Sequence, residues 1–276
     1  MSYCQYHPMP VLANEVRQFL KQCGFRLDHR LGQNFLIDGN VLEDIVSAAN
    51  IAPTDHVVEI GAGIGVLTRE LVKHAQHVTT IELDERVIPL LRVFVANAKN
   101  LTIVTQNALE ASYPTDPWKL VANIPYHITS PLLRRVFLES PRPPESLTLL
   151  LQREVAEKIC GIGGAGMLTI VVGLFGEPHF VRAVKANAFS PPPQVDSAVL
   201  HIKSFPQPKA DAATIDAVLR LTKIGFGQKR KMLRNTLGSL PEGMDRLASA
   251  QIDPTRRPQT LSIDEWIKLA AAFRDA

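Results

Sequence analysis

Between residues 56 and 152, short apolar runs alternate with stretches of helical spacing, and this alternation limits the fold more than any other feature of the chain. The runs 56–61, 77–83, 101–105, 119–123 and 147–152 are rich in Val, Ile, Leu and Thr and have the length of buried strands. The stretches 66–74, 85–97 and 130–139 repeat apolar residues every three or four positions, as helices covering a sheet do. Strands that alternate with helices imply a parallel sheet covered on both faces by right-handed crossovers. Two further strand-like runs, 179–185 and 197–204, flank a proline-rich turn at 191–193 and read as an antiparallel hairpin closing the sheet edge. Such sheets bind ligands beyond the carboxyl ends of their strands, so the chemistry is sought in the loops that follow them.

The texture changes after Phe205. Pro206 and Pro208 mark a linker, and only helical patterns follow, at 214–226, 229–237, 244–249 and 263–273. Asp264 and Glu265 suit the positive end of the last helix. Ahead of the sheet, 11–24 reads as one amphipathic helix with Gly24 as its stop. The expected organisation is an N-terminal helical extension (1–28), a sheet domain (29–205) and a small helical domain (206–276).

Charge divides along the same line. Residues 1–203 hold 18 basic and 19 acidic side chains, whereas residues 204–276 hold 12 and 8. A basic tail on a near-neutral body suits a polyanionic partner such as nucleic acid. With 46% hydrophobic and 21% charged residues the chain is neither disordered nor fibrous. No apolar run approaches the roughly 18 residues of a membrane span, and no signal-peptide pattern opens the sequence, so no membrane partner is expected. Cys4, Cys23 and Cys160 are far apart and make neither a disulfide framework nor a zinc site, which points to a reducing cytoplasm. The eight histidines show no metal-ligand grouping, and no metal is expected.

The first strand ends in Glu59-Ile60-Gly61-Ala62-Gly63-Ile64-Gly65. Its GxGxG spacing differs from the GxGxxG of a dinucleotide site and suits a ligand without phosphates, such as S-adenosylmethionine, whose aminoacyl end would lie against Gly61 and Gly63. That spacing disfavours a nicotinamide dehydrogenase. Glu82 ends the second strand, where a carboxylate can accept from both hydroxyls of an adenosyl ribose. Asn107, after the third strand, is placed to meet the adenine ring. After the fourth strand comes Asn123-Ile124-Pro125-Tyr126. The lone pair of an exocyclic amine is delocalised into its ring. A site can localise that pair by accepting the amine's hydrogens, using the Asn123 oxygen and a backbone carbonyl near Pro125. Proline fixes the direction of that carbonyl, and Tyr126 offers a face for the base to stack on. Such a base must be unpaired or flipped out. Lys229, Arg230, Lys231 and Arg234 carry four positive charges without an acid. On a helix Arg230 and Arg234 share a face suited to phosphates.

These motifs stand among seven stretches: LGQNFL (31–36), EIGAGIGVLT (59–68), IELDE (81–85), NIPY (123–126), LQREVAEKI (151–159), FSPPPQVDSAV (189–199) and GFGQKRKMLRN (225–235). In order and content the chain resembles the ribosomal RNA adenine N6,N6-dimethyltransferase family across nearly its whole length, with its bacterial small-subunit, kasugamycin-sensitivity branch the best match. The resemblance implies a Rossmann-like class I methyltransferase with a seven-stranded, mostly parallel sheet and a C-terminal helical domain that contacts RNA. It adds Asn34 and Leu36 to the cofactor site and sets Phe189 opposite Tyr126 on the target adenine. It implies dimethylation of two adjacent adenines in a 3′-terminal hairpin loop of 16S rRNA, by a monomer, during small-subunit biogenesis. The macrolide-resistance branch, which modifies 23S rRNA, and a non-catalytic assembly or nucleic-acid-binding factor of the same fold remain alternatives. The chain departs from the family pattern at Asn107, where Asp is usual, at His127, where Asn is frequent, and at Ala165, where Tyr is often found.

Overall fold

The computed structural model describes residues 10–25, 33–228 and 230–274. After helix α1 (Pro10–Gln22), strand β1 (Phe35–Leu36) and helix α2 (Gly39–Ala49), the expected alternation begins. Strands β2 (His56–Ile60), β3 (His77–Glu82), β4 (Leu101–Thr105), β5 (Lys119–Asn123) and β6 (Ser146–Gln152) fall within a residue or two of the apolar runs. Helices α3 (Val66–His74), α4 (Ile88–Phe94) and α5 (Thr129–Arg134) connect them. The sheet has seven strands in the order β4-β3-β2-β5-β6-β9-β7, where β7 is Gly176–Val184 and β9 is Ser197–Ser204. The four pairings among β2 to β6 are parallel. All seven residues of β6 except Gln152 are buried, as expected of a strand covered on both faces. The two late runs are sheet neighbours at the edge opposite β4, as the proline-rich turn between them suggested.

The chain travels outward from β2 through β3 to β4, then returns to β5 on the other side of β2 and continues outward to β6. Between β2 and β5 the connections therefore leave in opposite directions, and a crevice opens at the carboxyl ends of these two strands. Gly61 follows β2 and Asn123 ends β5, so two of the expected site residues stand at its mouth.

Several elements depart from expectation. The helix expected over 85–97 is a 3-10 turn at Glu85–Val87, capped by the Asp84 side chain, that runs into the shorter α4. Ala96 and Asn97 both turn left-handed and end it. Helix α2 and helices α6 (Arg153–Ile159) and α7 (Met167–Phe175) were not assigned from the sequence. Met167–Phe175 is apolar around most of its circumference, so its 3.6-residue period is blurred.

The chain forms two compact units, one within Met1–Ala156 and His179–Ile202 and the other within Glu157–Pro178 and Lys203–Ala276. The second unit thus takes in the stretch around α7, which the sequence reading gave to the sheet domain. It is otherwise helical, with α8 (Ala212–Gly227), α9 (Gly243–Ser249) and α10 (Ile263–Ala272). Trp266 is fully buried at its centre beside Phe226 and the Cα of Gly225. In α10, Ser262 and Glu265 form a reciprocal cap, and Arg256 pairs with Glu265. The helix expected over 229–237 does not form. Lys229 lies outside the described residues; after α8 the chain turns at Arg230 and makes two 3-10 turns, Leu233–Asn235 and Leu237–Ser239. The N–H groups of Leu233 and Arg234 donate across to Arg256 and Pro254 instead of back along a helix. Arg230, Lys231 and Arg234 are exposed, but the shared helical face assumed for Arg230 and Arg234 is absent. No helix among the described residues is long and apolar enough to cross a membrane.

Helix α3 begins directly after Gly65, whose φ of +97° brings it close to α4. A methyl group there would lie 2.6 Å from Leu91 Cδ1 and 2.9 Å from Val95 Cγ1. Gly65→Ala combines backbone strain with overpacking and is expected to destabilise the protein by about 2 to 4 kcal/mol in urea unfolding. A change below about 0.5 kcal/mol would show that this junction is not tightly packed.

Candidate active site

A cavity of about 360 Å³ occupies the crevice. All ten residues expected to hold cofactor or target base line it: Asn34, Leu36, Gly61, Gly63, Glu82, Asn107, Asn123, Pro125, Tyr126 and Phe189. They come from six separate stretches of chain. His127, one of the departures from the family pattern, lines the cavity too, as do Gln33, Phe35, Glu59 and Leu83, to which the sequence assigns no role there.

One side of the cavity is built on the glycine turn. Gly63 adopts φ +53°, and its open Cα faces the Phe35 ring, where a methyl would approach Cε1 to 2.7 Å. The Gly63 N–H donates to Glu82 Oε2 at 2.8 Å, and the Asp84 N–H donates to Oε1 at 2.9 Å. The turn and the carboxylate thus hold each other, and each carboxylate oxygen keeps a further lone pair for a ligand. Asp84 accepts from the Arg86 guanidinium and from Gln33 Nε2 at 2.8 Å. The hydrogen bond from Arg86 holds the Asp84 carboxyl below its ordinary range. Gln33 thereby ties the segment carrying β1 to the end of β3.

Glu59 is the acid before the glycines. It is 1% exposed, and its Oε2 accepts from the Thr68 hydroxyl at 2.6 Å. Burial pushes its carboxyl up to about 7, the Thr68 hydrogen bond pulls the other way, and the nearby charge of Glu82 adds to the rise.

The opposite side is built on the loop after β5. Asn123 Nδ2 donates to the Asn34 carbonyl at 3.3 Å, which orients the carboxamide and leaves its oxygen as the acceptor. The Pro125 carbonyl accepts from the Ile128 N–H, opening a 3-10 turn at Tyr126–Ile128. Pro125 packs beside Gly61, so the two loops touch. The Tyr126 hydroxyl is hydrogen-bonded to Ser197 Oγ at 2.7 Å, and burial raises its pKa. Phe189 begins strand β8 (Phe189–Ser190), which pairs antiparallel with β1 and sets Phe189 opposite Leu36. Neither two-residue strand has a periodicity that could reveal it; the signal was the matched motifs at 31–36 and 189–199.

Asn107 lines the cavity, yet its carboxamide is used within its own loop. Oδ1 accepts from the Leu109 N–H and Nδ2 donates to Glu110. Arg230, Lys231 and Arg234 belong to the second unit and do not line this cavity. Among the described residues no three His, Cys, Asp or Glu side chains gather as metal ligands would.

The Glu59 environment has a measurable consequence. Its folded value near 7 lies above the ordinary 4.5, so its contribution to stability is fully present below pH 4.5 and is lost as pH rises through 7. Two and a half units correspond to about 3 kcal/mol. Glu59→Gln, which stays neutral, is expected to gain stability relative to the parent between pH 5 and 8, by up to about 3 kcal/mol in urea unfolding. A stability difference that does not change over that range would mean that burial does not raise the Glu59 carboxyl above its ordinary range.

Comparison with known proteins agrees with this architecture. The family described as ribosomal RNA adenine dimethylase matches residues 24–275. A relative from Dehalococcoides mccartyi named Ribosomal RNA small subunit methyltransferase A is 38% identical, covering 96% of this chain and 94% of its own. One of the same name from Alkaliphilus metalliredigens is 37% identical, covering 94% and 96%. Among solved structures, a dimethyladenosine transferase from Plasmodium falciparum is similar with a TM-score of 0.75 and 28% identity, covering 87% of this chain and 97% of its own. The 23S rRNA methyltransferase ErmE is similar with a TM-score of 0.72 and 29% identity, covering 87% and 99%. With a family match spanning both units and a cavity lined by the expected side chains, this chain belongs to the ribosomal RNA adenine dimethylase family.

Proposed function

We propose that this protein dimethylates N6 of two adjacent adenines in the 3′-terminal hairpin loop of 16S rRNA, during assembly of the small subunit. Family membership carries the reaction class; the small-subunit assignment is supported by relatives of that name at 37–38% identity over nearly the full length of both chains. The observation that carries the mechanism is the meeting of the Glu82–Gly63 turn and the Asn123–Tyr126 loop in one cavity.

The donor set fits S-adenosylmethionine. Glu82 has free lone pairs for the ribose hydroxyls, and the Gly61–Gly63 turn lines the cavity where the aminoacyl end would lie, with GxGxG rather than GxGxxG spacing. Asn107 keeps the second lone pair of its oxygen for the adenine amine. Asn34 and Leu36 close the cavity from the segment before α2. When bound, the cofactor supplies a methyl group on a cationic sulfonium, open to in-line attack.

The residues of the chain then act on the target base. The Asn123 oxygen and a backbone carbonyl beside Pro125 accept the amine hydrogens and draw the nitrogen lone pair out of the ring. Tyr126 and Phe189 hold the flipped adenine between their faces. Positioning supplies most of the rate, because the methylated amine is acidic enough to lose its proton to water. The pocket must also accept the monomethyl product, so the acceptors cannot require both original hydrogens. Exposed Arg230, Lys231 and Arg234, with Lys229, meet RNA phosphates as separate point contacts rather than as one helical face. The protein works as a monomer in the cytoplasm.

Incubation with labelled S-adenosylmethionine and immature small subunits, large subunits or duplex DNA separates the readings. Dimethyladenosine is expected in small-subunit RNA; label confined to large subunits would transfer the assignment to the macrolide-resistance branch. Asn123→Ala is expected to lower kcat by about 100-fold or more while retaining part of the cofactor affinity. Normal turnover by that variant would refute the amine-acceptor mechanism.

A further inference from the structure

Tyr126 lines the cavity, but its hydroxyl is bonded to a residue that the reaction itself does not call for. Ser197 is the first residue of β9, is fully buried, and has its Oγ 2.7 Å from the Tyr126 hydroxyl. The backbone on which Ser197 sits is held from several directions. The carbonyl of Asp196 accepts from the Arg153 N–H at 3.0 Å. The Asp196 carboxylate accepts from Lys185 Nζ at 2.8 Å and from the Ala186 N–H at 3.2 Å. Ala186 opens the 3-10 turn Ala186–Ala188, which delivers Phe189. One stretch of chain, 185–197, therefore carries Phe189 near its start and grips Tyr126 at its end.

We propose that Ser197 is a positioning residue that fixes the Tyr126 ring as a wall of the base slot, and that this bond governs how readily a first methylation proceeds to a second. The proposal rests on the dimethylation reading above. Because its hydroxyl is engaged by a buried serine, Tyr126 serves as a stacking surface and not as a proton acceptor for the amine. The two transfers depend on that surface unequally. Unmodified adenine offers two amine hydrogens to the acceptors around Asn123, whereas the monomethyl product offers one. The second transfer then relies more heavily on stacking, which is worth more when the ring is held still.

The test uses the full-length protein, labelled S-adenosylmethionine, and whichever ribosomal RNA particle the parent methylates, with mono- and dimethyladenosine separated after digestion. Ser197→Ala and Tyr126→Phe each remove the same bond from opposite ends. Each is expected to slow turnover by about 5- to 10-fold, leave the KM for S-adenosylmethionine within about 2-fold, and raise the monomethyl share of product several-fold. The double variant is expected to be no worse than either single one. Tyr126→Phe opens no buried hole, so it carries the test even if Ser197→Ala proves unstable. Effects that multiply in the double variant, or an unchanged product ratio in Tyr126→Phe, overturn the assignment. Dimethylation confined to large-subunit RNA by the parent would overturn the small-subunit reading alone, with the variants still deciding the role of Ser197. A parent inactive on every RNA overturns both.

Discussion

A parallel sheet can be closed over by its own crossovers everywhere except where successive connections leave in opposite directions. Here that place lies between β2 and β5, and every feature of the site follows from it. Side chains at the strand ends hold the neighbouring loops: Glu82, which ends β3, accepts from the Gly63 N–H, and Asn123, which ends β5, donates to the Asn34 carbonyl. The crevice is polar along its rim because the strands stop there, and apolar at depth because β2, β5 and β6 are buried.

Around that crevice two carboxyl groups are held differently, Glu59 in its lining and Asp84 just beyond it. Asp84 is held ionised by the Arg86 guanidinium, whereas Glu59, one strand away and sealed from water, is poised between charged and neutral near pH 7. Burial wins over the Thr68 hydrogen bond at Glu59, while hydrogen bonding from a cation wins over partial burial at Asp84.

Reading the sequence recovered what depends on local periodicity or on a motif. The parallel strands appear as apolar runs, most clearly β2, β5 and β6, whose inner residues are buried, and α3 is read over its full length because only one of its faces is covered. The ten cavity residues were located because each stands at a strand end or in a matched motif. Elements defined by partners far along the chain escaped. β1 and β8 exist only through each other, 153 positions apart in the Leu36–Phe189 pair being too distant for any window to register, and their two-residue length carries no period. The basic segment after α8 has a helical pattern, but the Leu233 and Arg234 N–H groups are drawn to carbonyls of the 254–256 loop instead. Likewise Ser197 and Gln33 read as ordinary polar residues until the fold set them against Tyr126 and Asp84.

The second unit is assembled from two stretches of chain, 157–178 and 203–276, with the sheet's last two strands threaded between them. Its apolar helix α7 arrives in the first stretch and α8 and α10 in the second, and Gly173 lies against Ile263 where the two meet. Such a unit has no single point of attachment. Ending the chain after residue 205 would not detach a module; it would leave α7, with buried Ile170, Val172 and Leu174, facing water. Exchange of this unit for another would need two coordinated junctions, one on each side of residues 179–202.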